Sequence, residues 1–209
     1  MKLVESALVA HFKAPIYVDH LLLAASRSVY KEGEEGITCI LNTSALTCVY
    51  DGEHITKYLL NGGYVFGDEG SSNELSKLFI SDIIKGFAPK ELSDLYKLNF
   101  NSDFNNLMKT FYSGIAIQSF DSTVYFLIEH AGNPYVINLI KKNFQNFIKR
   151  NLSKLEGVEY HKIKIVGKFA YHFKDLLQET FEENNIKIDA IVESAMEGLI
   201  DYHIKHPIY

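Results

Sequence analysis

Three β-type segments follow one another closely in the first third of the chain. Residues 37–41 form an apolar run, Ala45–Tyr50 follows after a polar break, and 54–60 alternates as a returning strand. Asp51-Gly52 between the last two segments is a strong signal for a two-residue hairpin turn. Strands joined by such short connections pair antiparallel, because a parallel crossover needs a dozen or more residues. The pattern therefore predicts a β-meander.

The rest of the chain is mainly helical in pattern. Residues 89–154 show helical periodicity almost throughout, and two isolated strands follow at 162–166 and 186–192, with helices predicted at 169–183 and 196–206. A meander followed by helices and then by a β-α-β-α order predicts an α/β fold, in which a mixed sheet carries helices on both faces.

Before the meander, an amphipathic helix is predicted over 4–12. A short buried strand over 16–18 and a second helix over 21–30 follow it. The three segments precede the charged loop KEGEEG at 31–36. They form the part of the chain that leads into the sheet.

Composition excludes several classes of function. The net charge is −5 and no block of Lys and Arg stands out, which argues against a nucleic-acid-binding surface. No apolar run approaches the roughly 20 residues needed to cross a bilayer. The two cysteines, Cys39 and Cys48, lie in apolar segments and indicate buried free thiols in a reducing compartment. We therefore expect a soluble, cytoplasmic protein that binds neither membrane nor nucleic acid.

The stretch 61–70, NGGYVFGDEG, contains four glycines and leads into a helix capped by Ser71 or Ser72. A glycine-rich turn at a helix start presents backbone N–H groups to an anion at the positive end of the helix dipole. Asp68 and Glu69 could accept sugar hydroxyls or hold a metal through water. Ordinary stabilisation of the helix start by acidic residues explains them equally well.

Two other segments have weaker signals. Asn42-Thr43-Ser44 lies between two strands, where a corner with exposed N–H groups can hold a phosphate, although an ordinary polar turn looks the same. Gly167 follows a strand, where a glycine lets a flat base approach the backbone, although a tight connection also needs glycine. His203 and His206 are three residues apart, and the histidines of the chain lack the spacing of a metal site, which favours a surface role.

Together these segments resemble the BadF/BadG/BcrA/BcrD ATPase family, in particular its N-acetylglucosamine-kinase-like branch. The strongest match is GYVFGDEGS (63–71). The others, in chain order, are ITCILNTSALTCVYDG (37–52), KGFAPKEL (85–92), NPYVINLIKKNFQNFIKRN (133–151), IVGKFAYHFKDLL (165–177) and MEGLIDYH (196–203).

The resemblance implies one ribonuclease H-like lobe of an actin-like ATPase. Residues 1–30 would be the end of a first lobe, and 31–209 the C-terminal lobe. Such kinases use ATP and Mg²⁺ to transfer the γ-phosphoryl group to a sugar hydroxyl, so nucleotide and an amino sugar are the implied ligands.

The resemblance also implies roles for individual residues, and it implies no metal site made by the protein alone. It implies phosphate binding by Thr43, Ser44, Gly70 and Ser71, and sugar binding by Gly63, Asp68 and Glu69. It also implies adenosine binding by Gly167 and catalysis by Asp19 and Asp68.

The chain also departs from the family pattern. Asn42 and Ser44 replace two glycines of the phosphate corner, and Lys168 replaces a small residue beside the adenine site. An ungapped register puts His20 at the catalytic position, with Asp19 one residue earlier. The Asp- and Gly-rich hairpin that opens the first lobe is not found.

These departures lead to three alternatives. The first is a truncated sugar-kinase homologue with impaired phosphate-binding motifs. The second is a non-catalytic nucleotide- or sugar-binding module that partners a complete kinase, as a homodimer or through a partner lobe. The third is an activator ATPase of 2-hydroxyacyl-CoA dehydratases, which would need cysteines free to ligate an iron–sulfur cluster.

Overall fold

The computed structural model describes residues 2–13, 16–100, 109 and 116–206. Most of the predicted helical stretch at 101–115 lies outside the described residues. The described strands are β1 (Gly36–Leu41), β2 (Ala45–Tyr50), β3 (Ile55–Tyr58), β4 (Ile163–Val166) and β5 (Ala190–Val192). The described helices are α1 (Lys2–Phe12), α2 (Leu21–Val29), α3 (Gly63–Phe66), α4 (Ser72–Lys85), α5 (Lys90–Phe100), α6 (Ala116–Glu129), α7 (Pro134–Arg150), α8 (Lys168–His172), α9 (Lys174–Glu183) and α10 (Met196–Lys205).

The five strands form one mixed sheet in the order β3-β2-β1-β4-β5. The meander pairs antiparallel, while β1 pairs parallel with β4, and β4 pairs parallel with β5. Parallel pairing places the carboxyl ends of β1, β4 and β5 at one edge of the sheet. The predicted α/β fold with a mixed sheet is therefore confirmed.

Helices cover both faces of this sheet, as predicted. On one face α2 packs against β1, β2 and α10, with Leu22 and Ala25 contacting Ile40 and Cys48 in a small core. The other face carries the main core, where α4, α7 and α9 bury Phe79, Phe144 and Phe181 among others. Alternating side chains of β1 divide between the two cores, because successive residues of a strand point to opposite faces.

Several local predictions were wrong. The loop between β2 and β3 spans four residues, because Asp51 accepts the N–H groups of Glu53 and His54 at 2.9 and 2.7 Å and the loop closes around its side chain. No strand forms over 16–18, which has no regular secondary structure. The predicted helix over 169–183 is two helices that meet at Phe173.

The polar end of the last predicted strand also fails to pair. Of the residues predicted at 186–192, only Ala190–Val192 join the sheet, while the carboxylate of Asp189 accepts the N–H of Ile163 at 2.9 Å. The short helix α3 inside the glycine-rich stretch was not predicted, because four residues are too few to show a period.

Among the described residues, no helix combines the length and the apolar character that crossing a bilayer requires. Helix α2 contributes to the small core on the sheet, whereas α1 has no buried residue. The division of the chain at residue 30 stays a prediction.

Candidate functional site

The carboxyl ends of β1 and β4 bring two of the predicted segments together. Ile40 pairs with Val166 in the parallel ladder, so the corner at 42–44 and the glycine at 167 leave the same edge of the sheet. Ligands of open α/β sheets bind at this edge, beyond the carboxyl ends of the strands. Residues more than 120 positions apart in sequence are neighbours here.

Gly167 has a specific structural reason to be glycine. Its φ is +147°, and a Cβ atom at this position would lie 2.2 Å from the carbonyl oxygen of Leu41. Its N–H donates to the carbonyl of Val192 at 2.9 Å, so the residue fits between two neighbouring strand ends. Close packing of the backbone therefore accounts for this glycine, and its adenosine-binding role stays a prediction.

The acidic turn of the glycine-rich stretch is bonded to the corner at 42–44. Asp68 has φ +66° and is 2% exposed. Its Oδ1 accepts the N–H of Ala45 at 3.2 Å and the side-chain amide of Asn61 at 3.0 Å. The N–H of Ser72 donates to the carbonyl of Asn42 at 2.8 Å. The two predicted phosphate-binding segments thus form one connected structure.

The burial of Asp68 affects its ionisation. Desolvation raises the pKa of this carboxyl, and this outweighs the lowering by the Ala45 N–H, the positive charge of Lys77 and the Asn61 amide. In the described part of the chain, this carboxylate therefore accepts hydrogen bonds from a backbone N–H and from a side-chain amide. Its predicted catalytic and sugar-binding roles stay predictions.

Several backbone N–H groups at the start of α4 already have acceptors within the fold. The N–H of Gly70 donates to Oδ1 of Asn143 at 2.9 Å, and the N–H of Ser71 donates to the carbonyl of Asp68 at 2.9 Å. The hydroxyl of Ser71 accepts the N–H of Glu74 at 3.1 Å and caps α4. These groups stabilise the helix start, and phosphate binding by Gly70 and Ser71 stays a prediction.

Asn143 is a residue that sequence reasoning missed. It is fully buried on α7, and besides accepting from Gly70 it donates to the carbonyl of Ser71 at 2.8 Å. It lies among the apolar positions of α7, as an amide on a buried helix face. An amide among the apolar positions of a helix was the only indication in the sequence, because a buried amide requires a polar partner.

The other predicted sugar-binding residues lie in different surroundings. Glu69 is 8% exposed and forms an ion pair with Arg150, and it accepts a long bond of 3.4 Å from Asn151 at the end of α7. Gly63 is half-buried at the start of α3, where its N–H donates to the side chain of Asn61 at 3.3 Å. Each has a structural partner, and their roles with a sugar stay predictions.

A cleft of about 140 Å³ opens at the carboxyl edge of the sheet. Its walls include Asn42 and Thr43 from the corner, Ser72 from the start of α4, and Lys168 from the start of α8. Ser44 is half-buried, and its carbonyl accepts the N–H of Asn42 at 3.1 Å, which closes the corner. Thr43 is exposed and lines the same cleft as the cation of Lys168, which suits an anionic ligand.

Helix α6 completes this cleft with side chains that were not selected from the sequence. Asp121 and Tyr125 lie on its exposed side, and His172 of α8 joins them in the lining. Lys168 was noted in the sequence only as a departure beside Gly167. The approach of α6 is a long-range contact that local patterns do not reveal.

Asp19 and His20 lie in another part of the molecule's surface. Both are exposed, and Oδ1 of Asp19 accepts the N–H of His20 at 2.6 Å. The His20 ring lies 4.9 Å from the ring of Tyr58 on β3. Both residues line a larger cleft of about 690 Å³ between α2 and α10, which shares no lining residue with the cleft at Thr43. The catalytic role of Asp19 stays a prediction.

Cys39 and Cys48 are buried in the adjacent strands β1 and β2, and both are free thiols. Burial raises the pKa of Cys39 to about 12. Neither sulfur reaches the surface to ligate a cluster. Among residues 2–13, 16–100, 109 and 116–206, no group of three or more His, Cys, Asp or Glu side chains could hold a metal ion.

Comparison with solved structures shows the relatives of this fold. A candidate N-acetylglucosamine kinase from Porphyromonas gingivalis superposes with a TM-score of 0.92 at 26% identity, over 99% of this chain and 74% of that one. A second candidate N-acetylglucosamine kinase, from Chromobacterium violaceum, gives 0.67 at 16% identity, over 94% and 70% of the two chains. A ROK family glucokinase from Streptomyces griseus, solved with glucose and AMPPNP, gives 0.57 at 13% identity, over 95% and 70%.

No family model matches the sequence, and no curated protein matches it at a significant level. The structural neighbours nevertheless confirm the resemblance to the N-acetylglucosamine-kinase-like branch. The chain has the actin-like ATPase fold of these sugar kinases.

Proposed function

We propose that this chain is a sugar-kinase-like ATPase lobe that binds the phosphates of ATP in the cleft lined by Thr43 and Lys168. One observation supports the proposal most strongly. Thr43, Ser72 and Lys168 come from three distant parts of the sequence and meet in one cleft at the carboxyl edge of a mixed sheet. Anionic ligands in α/β folds bind at this edge.

The cleft has groups that suit a polyphosphate. The hydroxyl of Thr43 donates to a phosphate oxygen, and the ammonium of Lys168 pairs with the negative charge. The backbone around Asn42 does not supply the close approach that glycine would allow, because a side chain occupies that space. We therefore expect weak binding that depends on Lys168 more than on backbone N–H groups.

Mg²⁺ is held in many nucleotide sites by one or two carboxylates together with the phosphates. Asp121 is the carboxylate that lines this cleft, and it would bind the ion there. When bound, the ion neutralises charge on the transferring phosphoryl group. The protein's own part is to position the phosphates between Thr43 and Lys168.

The size of the cleft limits what it encloses. Its 140 Å³ is below the roughly 300–1,000 Å³ of pockets that enclose a whole small molecule. Part of the phosphate chain would therefore lie inside the cleft, and the rest of the nucleotide would extend outside it. Gly167 remains the proposed backbone contact for adenosine.

Calorimetric titration with ATP and Mg²⁺ tests this proposal. Binding should weaken at least about tenfold in Lys168→Gln, since a charge-assisted hydrogen bond contributes about 1.5–3 kcal/mol. Thr43→Val should show a smaller loss. Lys174→Gln, a neighbouring lysine on α9, is the matched control and should bind like the parent. No heat of binding at millimolar nucleotide would exclude the proposal.

A second function is favoured by the surroundings of the predicted catalytic carboxylates. Asp68 is buried behind Ala45, and Asp19 lines a different cleft from Thr43. A general base has to reach the hydroxyl that it deprotonates within hydrogen-bond distance, directly or through one water. We therefore propose, as the alternative, a non-catalytic nucleotide- or sugar-binding module that acts with a complete kinase.

A phosphorylation assay with an amino sugar separates these alternatives. Incubation with N-acetylglucosamine, ATP and Mg²⁺ should give no sugar phosphate if the chain alone is non-catalytic. Turnover that disappears in Asp19→Asn, but persists in the exposed control Asp201→Asn, would instead establish a kinase. His20→Gln tested alongside would show which of the two neighbours acts as the base.

A further inference from the structure

The cleft between α2 and α10 lies on the opposite face of the sheet from the main core. Its volume is about 690 Å³, and its lining includes Arg27 from α2 and three histidines, His20, His203 and His206. The nucleotide proposal uses none of Arg27, His203 or His206. A cleft of this size with several basic side chains in its lining needs its own explanation.

Arg27 contributes a permanent cation to the lining of this cleft. It is half-buried, and its Nε atom is shielded from solvent without a hydrogen-bond partner. Within the described parts of the chain, no carboxylate lies within ion-pair distance of its guanidinium. The Tyr50 hydroxyl is a hydrogen-bond neighbour of the guanidinium, whose Nε still has no partner. A cation withdrawn from water is usually paired with a negative charge, because desolvation is costly. The guanidinium therefore has remaining capacity for an anion.

Aromatic rings hold the guanidinium in place. Its Cζ lies 5.0 Å from the centroid of the Tyr202 ring, and the His206 ring stacks on Tyr202 at 4.5 Å. Nδ1 of His206 is 3.0 Å from the carbonyl of Tyr202, which orients the imidazole. A fixed guanidinium loses less conformational freedom on binding than a mobile one, so the arrangement is suited to binding a ligand.

Charged groups of both signs surround the cleft. Asp19, at one end, is the carboxylate that lines it, while Asp51, Glu32 and Glu53 line an adjoining cavity that also touches Tyr202 and His206. A fork of guanidinium N–H groups matches two oxygens of a phosphate, and the imidazoles of His203 and His206 line the same cleft. The chemistry selects a phosphate group over an uncharged sugar.

We propose that this cleft binds a small phosphorylated molecule through Arg27, with His203 and His206 as additional ligands. The site is independent of the proposed nucleotide cleft, because the two share no lining residue and lie on different elements. It accounts for the histidine pair on α10, whose spacing has no metal-site explanation.

Titration followed through the histidine ring signals by NMR tests the proposal. Inorganic phosphate and glucose 6-phosphate are added separately to the full chain, and the shifts of His203 and His206 are measured. Both probes should shift these signals in a saturable way. Tighter binding of glucose 6-phosphate would indicate a sugar phosphate as the ligand, and equal binding would indicate free phosphate; both results support the site.

Substitutions make the test specific. Arg27→Gln should weaken binding at least about tenfold, as loss of a charge-assisted pair predicts. Lys168→Gln should leave phosphate binding here unchanged while weakening ATP binding, so the two proposals fail separately. The exposed Lys154→Gln controls for loss of one positive charge. Arg27→Lys, which keeps the charge, and His203→Ala are measured as well in case Arg27→Gln melts at a lower temperature.

Two results would overturn the proposal. One is the absence of any shift of His203 and His206 at millimolar concentrations of both probes. The other is unchanged affinity in Arg27→Gln, Arg27→Lys and His203→Ala, because the phosphate would then bind elsewhere.

Discussion

The carboxylate of Asp68 accepts the backbone N–H of Ala45 at 3.2 Å. This bond connects the acidic turn before α4 to the first residue of β2. The side-chain amide of Asn61 bonds to both ends of the connection, donating to Asp68 at 3.0 Å and to the carbonyl of Ala45 at 2.7 Å. A residue chosen from the sequence for catalysis thus has a structural role in shaping the corner that leads to Thr43.

The role of Asp68 can be measured through stability. Asp68→Ala should cost about 1–3 kcal/mol of unfolding free energy, because the Ala45 N–H loses a buried acceptor. Asp68→Asn keeps an acceptor oxygen and should cost less than Asp68→Ala.

Burial raises the pKa of Asp68, so its contribution to stability is largest in acid and is lost as pH rises through the raised value. When urea unfolding is measured from pH 4 to 7, the unfolding free energy of Asp68→Asn relative to the parent should therefore increase with pH. Equal losses for Ala and Asn would contradict this role.

Gly167 should tolerate no side chain. In Gly167→Ala the new Cβ would lie 2.2 Å from the carbonyl oxygen of Leu41, at a φ of +147° that L-residues rarely adopt. We expect a loss of about 3 kcal/mol or more in unfolding free energy, because either the backbone or the strand pair must shift. Gly132→Ala is the control, since no atom lies within 4 Å of the position that its methyl group would take and its φ lies outside the left-handed range. Similar melting temperatures for the two variants would refute this account.

Asn143 should contribute measurably to the unfolding free energy. Asn143→Ala removes the acceptor of the Gly70 N–H and the donor to the Ser71 carbonyl at once. The buried N–H of Gly70 would lose its acceptor, whereas the Ser71 carbonyl would keep its bond from the N–H of Leu75 at 3.2 Å. The expected cost is therefore about 1–3 kcal/mol. Gln145→Ala, an exposed amide on the same helix, should change stability by less than about 0.5 kcal/mol. Chemical denaturation of both variants checks this, and a small effect at Asn143 would count against it.

Glu34 should give the protein an acid-sensitive contact. Burial by itself would raise the pKa of Glu34, but bonds from Lys162, Lys164 and the Lys31 N–H outweigh it and lower the pKa to about 2. Because the folded pKa is lowered, the contribution to stability is present above the ordinary value of 4.5 and is lost as pH falls towards 2. We expect about 1 kcal/mol, since solvent partly screens these pairs.

Denaturation curves at pH 7 and pH 3 measure this contribution. Glu34→Gln should be less stable than the parent at pH 7, and the difference should shrink at pH 3. Glu35→Gln, at the exposed neighbouring position, provides the comparison and should not reproduce this pattern. A difference that stays constant with pH would show that the ion pairs of Glu34 do not stabilise the fold.

The sequence by itself determined the fold class. Apolar runs at β1 and β2, separated by small polar residues, required an antiparallel meander, and the later β-α-β order required parallel strands beside it. It also located the start of α4, where Ser71 caps the helix and Gly86 ends it in the left-handed conformation. These features depend on residues close together in the chain, which is why a local pattern reveals them.

Only the tertiary structure decided which polar groups are free and which are already paired. Asn143 lies more than 70 positions from the glycine-rich turn whose N–H group it binds, and Arg27 is even more remote from the ring of Tyr202 that packs against it. Hydrogen bonds and ring contacts depend on angstrom-scale distances between elements, and no periodicity in one segment encodes them. The pattern of residues therefore predicted where a site could lie, while long-range packing decided which side chains face a ligand.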